Sequence, residues 1–325
     1  MVGAVILGTG SCLPGRVLTN HDLEKIVDTS DEWILSRTGI STRRISGKDE
    51  ETYKLASTAA RRAMEAADVT ADEIDLIIVA TMSSHMLMPS CACFVQNELG
   101  ARNAFAYDLN AACSGFLFAL DSGDKYLRIE RDKKILVIGT ETLSSRINWQ
   151  DRNTCILFGD GAGAVVMEYQ DDLRGVVGSN LFSDGSLWKL LYMHTAPSLN
   201  PELEQFDHPG THILMEGREV FKYAVKAMEG AIHDLLDKQK IEISSIDLMI
   251  PHQANIRILK KLVSRIGIDQ EKVFINVQKY GNTSAASIPI ALDEANREGR
   301  LVQDNLLLIC SFGGGFTWGA SLLRW

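Results

Sequence analysis

The chain carries an internal echo. Ile74-Asp75-Leu76-Ile77-Ile78 returns as Ile246-Asp247-Leu248-Met249-Ile250, and Lys134-Ile135-Leu136-Val137-Ile138-Gly139 is answered by Asn305-Leu306-Leu307-Leu308-Ile309-Cys310. Phe105 stands eight places before Cys113, and Phe274 eight places before Asn282. Gly161-Ala162-Gly163-Ala164-Val165-Val166 resembles Trp318-Gly319-Ala320-Ser321-Leu322-Leu323. A single match is unremarkable, because βαβ units share composition. Four matches in the same order, the first three at offsets of 169 to 172 residues, imply a repeated unit. The chain therefore divides near residue 170 into two similar halves, 1–170 and 171–325.

Each half alternates apolar runs of strand length with amphipathic stretches. Ile74–Ala80, Ala104–Leu109 and Ile135–Ile138 read as strands. Between them, Glu51–Ala67 places Ala56, Ala59, Ala60, Ala63, Met64 and Ala67 at helical spacing, and Ser114–Ile129 does the same with Phe116, Leu117, Leu120 and Leu127. Such alternation implies helices covering a largely parallel sheet, and two such halves give a layered α/β/α/β/α sandwich with active-site loops meeting where the halves join. Phe182–Gly217, richer in Pro, His and polar residues, reads as an inserted loop region.

With 325 residues and 46% hydrophobic content, the chain can bury a large core. A net charge of -9 argues against non-specific binding to nucleic acid or to an anionic membrane surface. The six cysteines are scattered, so reduced thiols are expected, and Cys91-x-Cys93 has no further ligands at metal-binding spacing. The N-terminal apolar run lacks a basic leader and reads as a first strand; no stretch approaches the length of a membrane span. The expected compartment is the cytoplasm.

Three polar residues fall where strands meet helices. Cys113, in Asn110-Ala111-Ala112-Cys113-Ser114-Gly115, sits at a strand-to-helix turn among small neighbours. That placement predicts an exposed sulfur whose pKa is lowered by the helix N-terminus; the plainer reading is a small buried hydrophobe. His252 ends the run Ile246–Pro251, the end at which parallel sheets bind ligands, although a lone histidine is more often a surface or capping residue. Asn282, in Tyr280-Gly281-Asn282-Thr283-Ser284-Ala285-Ala286-Ser287, occupies the second-half counterpart of the cysteine turn and offers an amide donor at any pH. A Gly-Asn turn with a helix cap would explain the local residues but not that correspondence.

The glycine clusters Gly8-x-Gly10, Gly159-x-Gly161-x-Gly163 and Gly313-Gly314-Gly315 do not each follow a strand and open a helix, so phosphate binding is not their expected role. The Gly313–Gly315 turn could aim backbone N–H groups into an oxyanion hole. The segment after His252 sets Arg257, Lys260, Lys261 and Arg265 opposite an apolar stripe. On so acidic a chain this is either a solvated face or a docking surface for an acidic partner.

Taken together, the chain resembles the β-ketoacyl-acyl carrier protein synthase III family of the thiolase-like fold. The stretches that carry the resemblance are 28–34 (DTSDEWI), 37–40 (RTGI), 111–116 (AACSGF), 158–164 (FGDGAGA), 251–255 (PHQAN), 281–286 (GNTSAA) and 312–319 (FGGGFTWG), spread over essentially the whole chain. The resemblance implies a thiolase-like five-layered sandwich and a catalytic Cys113, His252 and Asn282. It implies an oxyanion hole of the Cys113 and Gly314 amides, and coenzyme A binding by Thr29, Trp33, Arg37, Arg152 and Asn255. It places Met88 at the end of the acyl pocket, where a flexible methionine predicts tolerance of primers beyond acetyl. Lys222, Arg257 and Arg265 are implied as the carrier-protein patch, although a position that is lysine in some members is Ser264 here. The implied reaction joins an acyl-CoA primer to malonyl-acyl carrier protein through an acyl-cysteine, in a homodimer with no metal and no cofactor beyond the coenzyme A thioesters. The alternatives left open are a related acyltransferase or condensing enzyme of secondary metabolism, and a non-catalytic partner subunit.

Overall fold

Nine strands assemble into two sheets with the same strand order. The computed structural model describes residues 3–171, 173–200 and 210–325. The first sheet contains β1 (Ala4–Cys12), β2 (Leu76–Ala80), β3 (Phe105–Leu109), β4 (Lys134–Thr142) and β5 (Asp160–Tyr169), in the order β1-β5-β4-β2-β3. The second contains β6 (Gly175–Ser183), β7 (Leu248–Pro251), β8 (Leu306–Gly313) and β9 (Thr317–Arg324), in the order β6-β9-β8-β7. In the first, β2 runs parallel to β3 and β4, while β5 is antiparallel to β1 and β4. In the second, β7 is parallel to β8, and β9 is antiparallel to β6 and β8. The parallel register repeats residue for residue: Leu76 opposes Ile135, and Leu248 opposes Leu307, both partners displaced by 172. Residue 170 falls in the connection between β5 and β6.

Among the described residues, the helices of eight residues or more are α1 (Asp31–Thr38), α2 (Thr52–Ala67), α3 (Cys91–Leu99), α4 (Gly115–Ile129), α5 (Gly217–Gln239), α6 (Ile256–Ile266) and α7 (Ser287–Arg297). Their apolar faces assign them to layers. α4 and α7 lie between the sheets: Phe116, Leu117, Leu120, Ile288, Ala291 and Leu292 share one core with Ile78, Val137, Ile250 and Ile309. α2 and α3 cover the outer face of the first sheet, and α5 and α6 that of the second. This is the five-layered α/β/α/β/α sandwich. Strands covered on both faces need continuous apolar runs, which is why all five residues of β2 are buried.

The alanines of α2 bring helix and sheet unusually close. A Cβ placed on Gly8 would overlap the Ala63 carbonyl, and one on Gly10 the Ala59 carbonyl. Gly8 and Gly10 thus serve backbone packing. The inserted region is partly ordered: a 3-10 turn over Gly185–Leu190 leads to strand Leu191–Met193, which pairs with Ile213–Met215. Its segment 201–209 lies outside the described residues. Cys91 and Cys93 both start α3 but face oppositely, one buried and one exposed.

Candidate active site

The chain leaves β3 through Asn110 and turns sharply at Ala112, whose φ of 46° is left-handed. An alanine is held there against a cost of order 1 kcal/mol by its surroundings. Asn110 Oδ1 accepts the Ala112 N–H at 3.2 Å. Across the molecule, Ser311 Oγ donates to the Cys113 carbonyl at 2.9 Å, and Thr317 Oγ1 to that of Ala111 at 2.8 Å. The β8–β9 hairpin therefore grips the turn from about 200 residues away. Gly313 must be glycine for the same reason: a Cβ there would sit 2.7 Å from the Cys113 nitrogen. A 3-10 turn, Ala112–Ser114, then leads into α4.

This packing changes the expectation for the sulfur. Cys113 is only 6% exposed, at the floor of a cavity and not on an exposed elbow. Burial pushes its thiol up to about 12, with the Glu141 charge adding to the rise and the Ser284 hydroxyl opposing it. The lowered pKa expected from the helix N-terminus is absent, because loss of water outweighs the helix dipole.

The second half repeats the turn. Gly281, with φ of 68°, precedes Asn282, and Ser284 has φ of 49° at the start of a 3-10 turn that opens α7. Asn282 Oδ1 accepts the Ser284 N–H at 2.8 Å, just as Asn110 does for Ala112. The structural equivalent of Asn282 is therefore Asn110, and that of Cys113 is Ala285, an offset of 172. The eight-residue spacing from Phe105 and Phe274 set the correspondence three places off. Backbone bonds from Asn282 N to Leu157 O (2.8 Å) and from Gly159 N to Asn282 O (3.0 Å) fix the residue. With Oδ1 engaged, Nδ2 is its remaining donor.

His252 follows β7, its N–H held by the Cys310 carbonyl at 2.8 Å. Nδ1 lies 2.6 Å from Ser287 Oγ, which also accepts the Gln253 N–H at 3.3 Å. Burial pushes the imidazole down to about 3, so it is neutral at physiological pH.

Cys113, His252 and Asn282 line one cavity of about 1370 Å3, together with Gly314, Trp33, Arg37, Asn255, Lys222 and Arg257. Arg37 and Arg152 place their guanidinium groups 5.7 and 5.0 Å from the centroid of the Trp33 ring. Arg152 also donates to the Asp28 carbonyl. Thr29 adjoins this corner, its Oγ1 buried without a partner, but it does not line the cavity. Asn255 caps α6 by accepting the Arg257 N–H at 2.8 Å and donates to the Arg37 carbonyl.

Two of the singled-out residues do not line the cavity. Met88 is 85% exposed and does not line the cavity, because residues 86–88 run across the surface; neighbouring Leu87, also exposed, touches only the cavity's edge. Arg265 lies outside the cavity and is ion-paired with Glu229 at 2.6 Å. Sequence reasoning also passed over Ser287, Ser284 and Glu141. The first two stand inside or next to a quoted motif. Glu141 left a fainter signal, an acid near the C-terminal end of an otherwise apolar strand.

Among the described residues, no group of three or more His, Cys, Asp or Glu is placed to hold a metal, and no helix is long and apolar enough to cross a membrane.

Two family models match, 3-oxoacyl-[acyl-carrier-protein] synthase III over residues 107–185 and 3-oxoacyl-[acyl-carrier-protein] synthase III C terminal over residues 236–325. A β-ketoacyl-[acyl-carrier-protein] synthase III of Desulfotalea psychrophila is 57% identical over 324 residues, with both chains covered in full. The chain belongs to the β-ketoacyl-[acyl-carrier-protein] synthase III family. Solved synthase III structures agree: that of Aquifex aeolicus superposes with a TM-score of 0.93 at 48% identity, covering 99% of this chain and 100% of its own. The Pseudomonas aeruginosa structure gives 0.91 at 36% identity, covering 99% and 98%. Synthase III membership and the five-layered thiolase fold therefore rest on matches along the whole chain.

Proposed function

We propose that the protein starts fatty-acid synthesis by condensing an acyl-CoA primer with malonyl-acyl carrier protein, using Cys113 as nucleophile. The observation that carries this reading is the meeting of Cys113, His252 and Asn282 in one cavity, beside the Gly314 turn and beneath a cationic rim. The Cys113 sulfur attacks the acyl thioester, coenzyme A leaves, and an acyl-cysteine waits for the second substrate.

The malonyl thioester then enters and loses carbon dioxide. Ser287 Oγ accepts from Gln253 N–H, so its own hydrogen is free for His252 Nδ1, which leaves the imidazole proton on Nε2. Nε2–H and Asn282 Nδ2–H are two neutral donors for the enolate oxygen that decarboxylation creates. Each donor of this kind is worth about 3–4 kcal/mol in the transition state. The enolate carbon attacks the acyl-cysteine, and the Cys113 and Gly314 N–H groups take the resulting oxyanion. No step in this sequence calls on a metal or redox cofactor.

Arg37, Arg152 and Asn255 around Trp33 suit a nucleotide with phosphates, the chemistry of coenzyme A, and Thr29 adjoins the same corner with its hydroxyl buried. Lys222 and Arg257 at the rim, with Arg265 on the same helix as Arg257, suit an acidic carrier protein. Met82 and Leu157, with Leu87 at the edge, give the cavity apolar walls that accept primers longer than acetyl.

We also assign a homodimer. Edge strand β3 exposes Phe105 and Tyr107, and Met86, Leu87 and Met88 project nearby in sequence from the same half; a second copy covering them would bury Met88. Six unpaired cysteines suit the cytoplasm.

Intact-mass measurement after mixing with acetyl-, isobutyryl- and hexanoyl-CoA tests the reading. One acyl group should attach to wild type by a hydroxylamine-labile thioester bond that the Cys113→Ser variant cannot form, and malonyl-carrier should then release carbon dioxide. An unmodified wild-type chain would refute it.

A further inference from the structure

Behind Cys113, on the side away from the cavity, lies an acid that the reaction above does not use. Glu141 is fully buried near the end of β4. Its Oε2 accepts from Ser83 Oγ and, at 3.3 Å each, from Met82 N–H and Thr81 Oγ1. Oε1 has no partner. Ser284 Oγ is equally buried and equally unpartnered, although it lies beside both the Glu141 carboxyl and the Cys113 thiol. Two polar atoms left open in a dry interior cost about 1–3 kcal/mol each, so their juxtaposition calls for an explanation. Ser284 also bears a strained left-handed backbone, held by Asn282 Oδ1.

We propose that Glu141 is a positioning residue for Cys113, accepting the thiol proton through the Ser284 hydroxyl as the sulfur attacks the acyl thioester. This rests on the acyl-cysteine reading above. The need for an acceptor follows from burial. With its thiol pushed up to about 12, Cys113 holds roughly one thiolate in 10^5 at neutral pH. His252 cannot take the proton, because Ser287 occupies Nδ1 and burial keeps the imidazole neutral. Glu141 can. Burial raises its carboxyl to about 7, against the opposing hydrogen bonds from Ser83, Met82 and Thr81 and the influence of the Ser284 hydroxyl beside it. The titratable groups that face it are Cys113 and Cys91, the latter from the first turn of α3.

In the first step the Cys113 S–H bond breaks, Ser284 Oγ takes that proton and passes its own to Glu141 Oε1, and sulfur bonds to the acyl carbon. The acyl–sulfur bond of the donor breaks, and its electron pair leaves with coenzyme A, which takes a proton from water. In the second half-reaction the carbon–sulfur bond of the acyl-cysteine breaks. The pair returns to Cys113, and the proton comes back from Glu141 through Ser284.

The test is single-turnover acylation by acetyl-CoA, followed by quenched intact mass from about pH 5.5 to 8.5, in wild type, Glu141→Gln, Glu141→Asp and Ser284→Ala. A general base contributes 10^2–10^4-fold. Glu141→Gln and Ser284→Ala should acylate at least about 100-fold more slowly at pH 7, with Asp restoring most of the rate. Acetyl-CoA affinity should be unchanged. Glutamine keeps the shape of protonated Glu141 but has no proton to return, so condensation from a preloaded acyl-enzyme should fall by less than acylation does. The wild-type rate should rise with pH on a group near 7, and this limb should vanish in Glu141→Gln. Fast acylation of Glu141→Gln overturns the relay, as does an equal loss in affinity or in preloaded condensation. Should the variants fail to fold, a flat wild-type profile overturns it. Absence of any acyl group on wild-type Cys113 would instead remove the parent reading.

Discussion

His252 Nδ1 and Ser287 Oγ are 2.6 Å apart, and Ser287 is the first residue of α7. The same helix start follows the Asn282 turn, so one element orients both donors proposed for the enolate.

Replacing Ser287 by Ala should leave the imidazole free to rotate and to change tautomer. We expect condensation to fall about 10–100-fold, the range seen when a group that orients a histidine is lost. Self-acylation should change little. Stopped-flow carbon dioxide release against intact-mass acylation separates the two half-reactions; equal losses in both would contradict the assignment.

Asn282→Ala removes an enolate donor and the acceptor that holds Ser284 N–H. Decarboxylation should fall by about 10^2–10^3-fold. Because Ser284 also loosens, acylation should slow as well, though by less. A variant that decarboxylates malonyl-carrier at the wild-type rate would show that Asn282 does not meet the developing charge.

Gly313→Ala tests the grip of β8–β9 on the nucleophile. The added methyl would sit 2.7 Å from the Cys113 nitrogen and 3.0 Å from its Cβ. Either the turn moves or β8 does. Displacements near 1 Å cost about 100-fold in rate, so acylation should drop by that order while acyl-CoA affinity holds. Gly10→Ala, far from the cavity, should instead lower stability by about 1–3 kcal/mol with per-molecule activity intact, because its Cβ meets the α2 backbone.

The pH dependence of stability has a defined sign. His252 is depressed from 6.5 to about 3 in the folded chain, so between these values the unfolded chain binds the extra proton. Its contribution to stability is present above 6.5 and is lost as pH falls through that window. His252→Gln should therefore be less acid-sensitive than wild type, by about 3 kcal/mol at pH 4.5 in chemical denaturation. Glu141 works the other way: raised from 4.5 to about 7, it stabilises the fold below 4.5 and loses that contribution as pH climbs through 7. The comparison within one variant pair keeps Glu141 constant.

What the sequence disclosed follows from which interactions are local. Strand runs, the alanine periodicity of α2, the placing of Cys113 and His252 at strand ends and the Asn282 turn before a helix depend on short stretches of chain. The state of the sulfur depends on Ser311, Gly313 and Thr317, which arrive from nearly 200 residues away, and a local reading of small neighbours and a helix start took the wrong sign for its pKa. The alignment of Asn282 with Cys113 failed because letter spacing does not register where the backbone turns left-handed; Ala112 and Ser284 do. Met88 lies away from the cavity within one chain because residues 86–88 project from its surface, and no local pattern of letters reports that. Glu141 escaped notice since one acid in an apolar strand reads as a strand end.

The paired left-handed turns at Ala112 and Ser284 give the molecule a division of labour. One corner, made twice, spends one copy on bond making and the other on holding charge. Because Ser284 stands in the charge-holding corner and beside the sulfur, a change that retunes that corner also reaches the loading step.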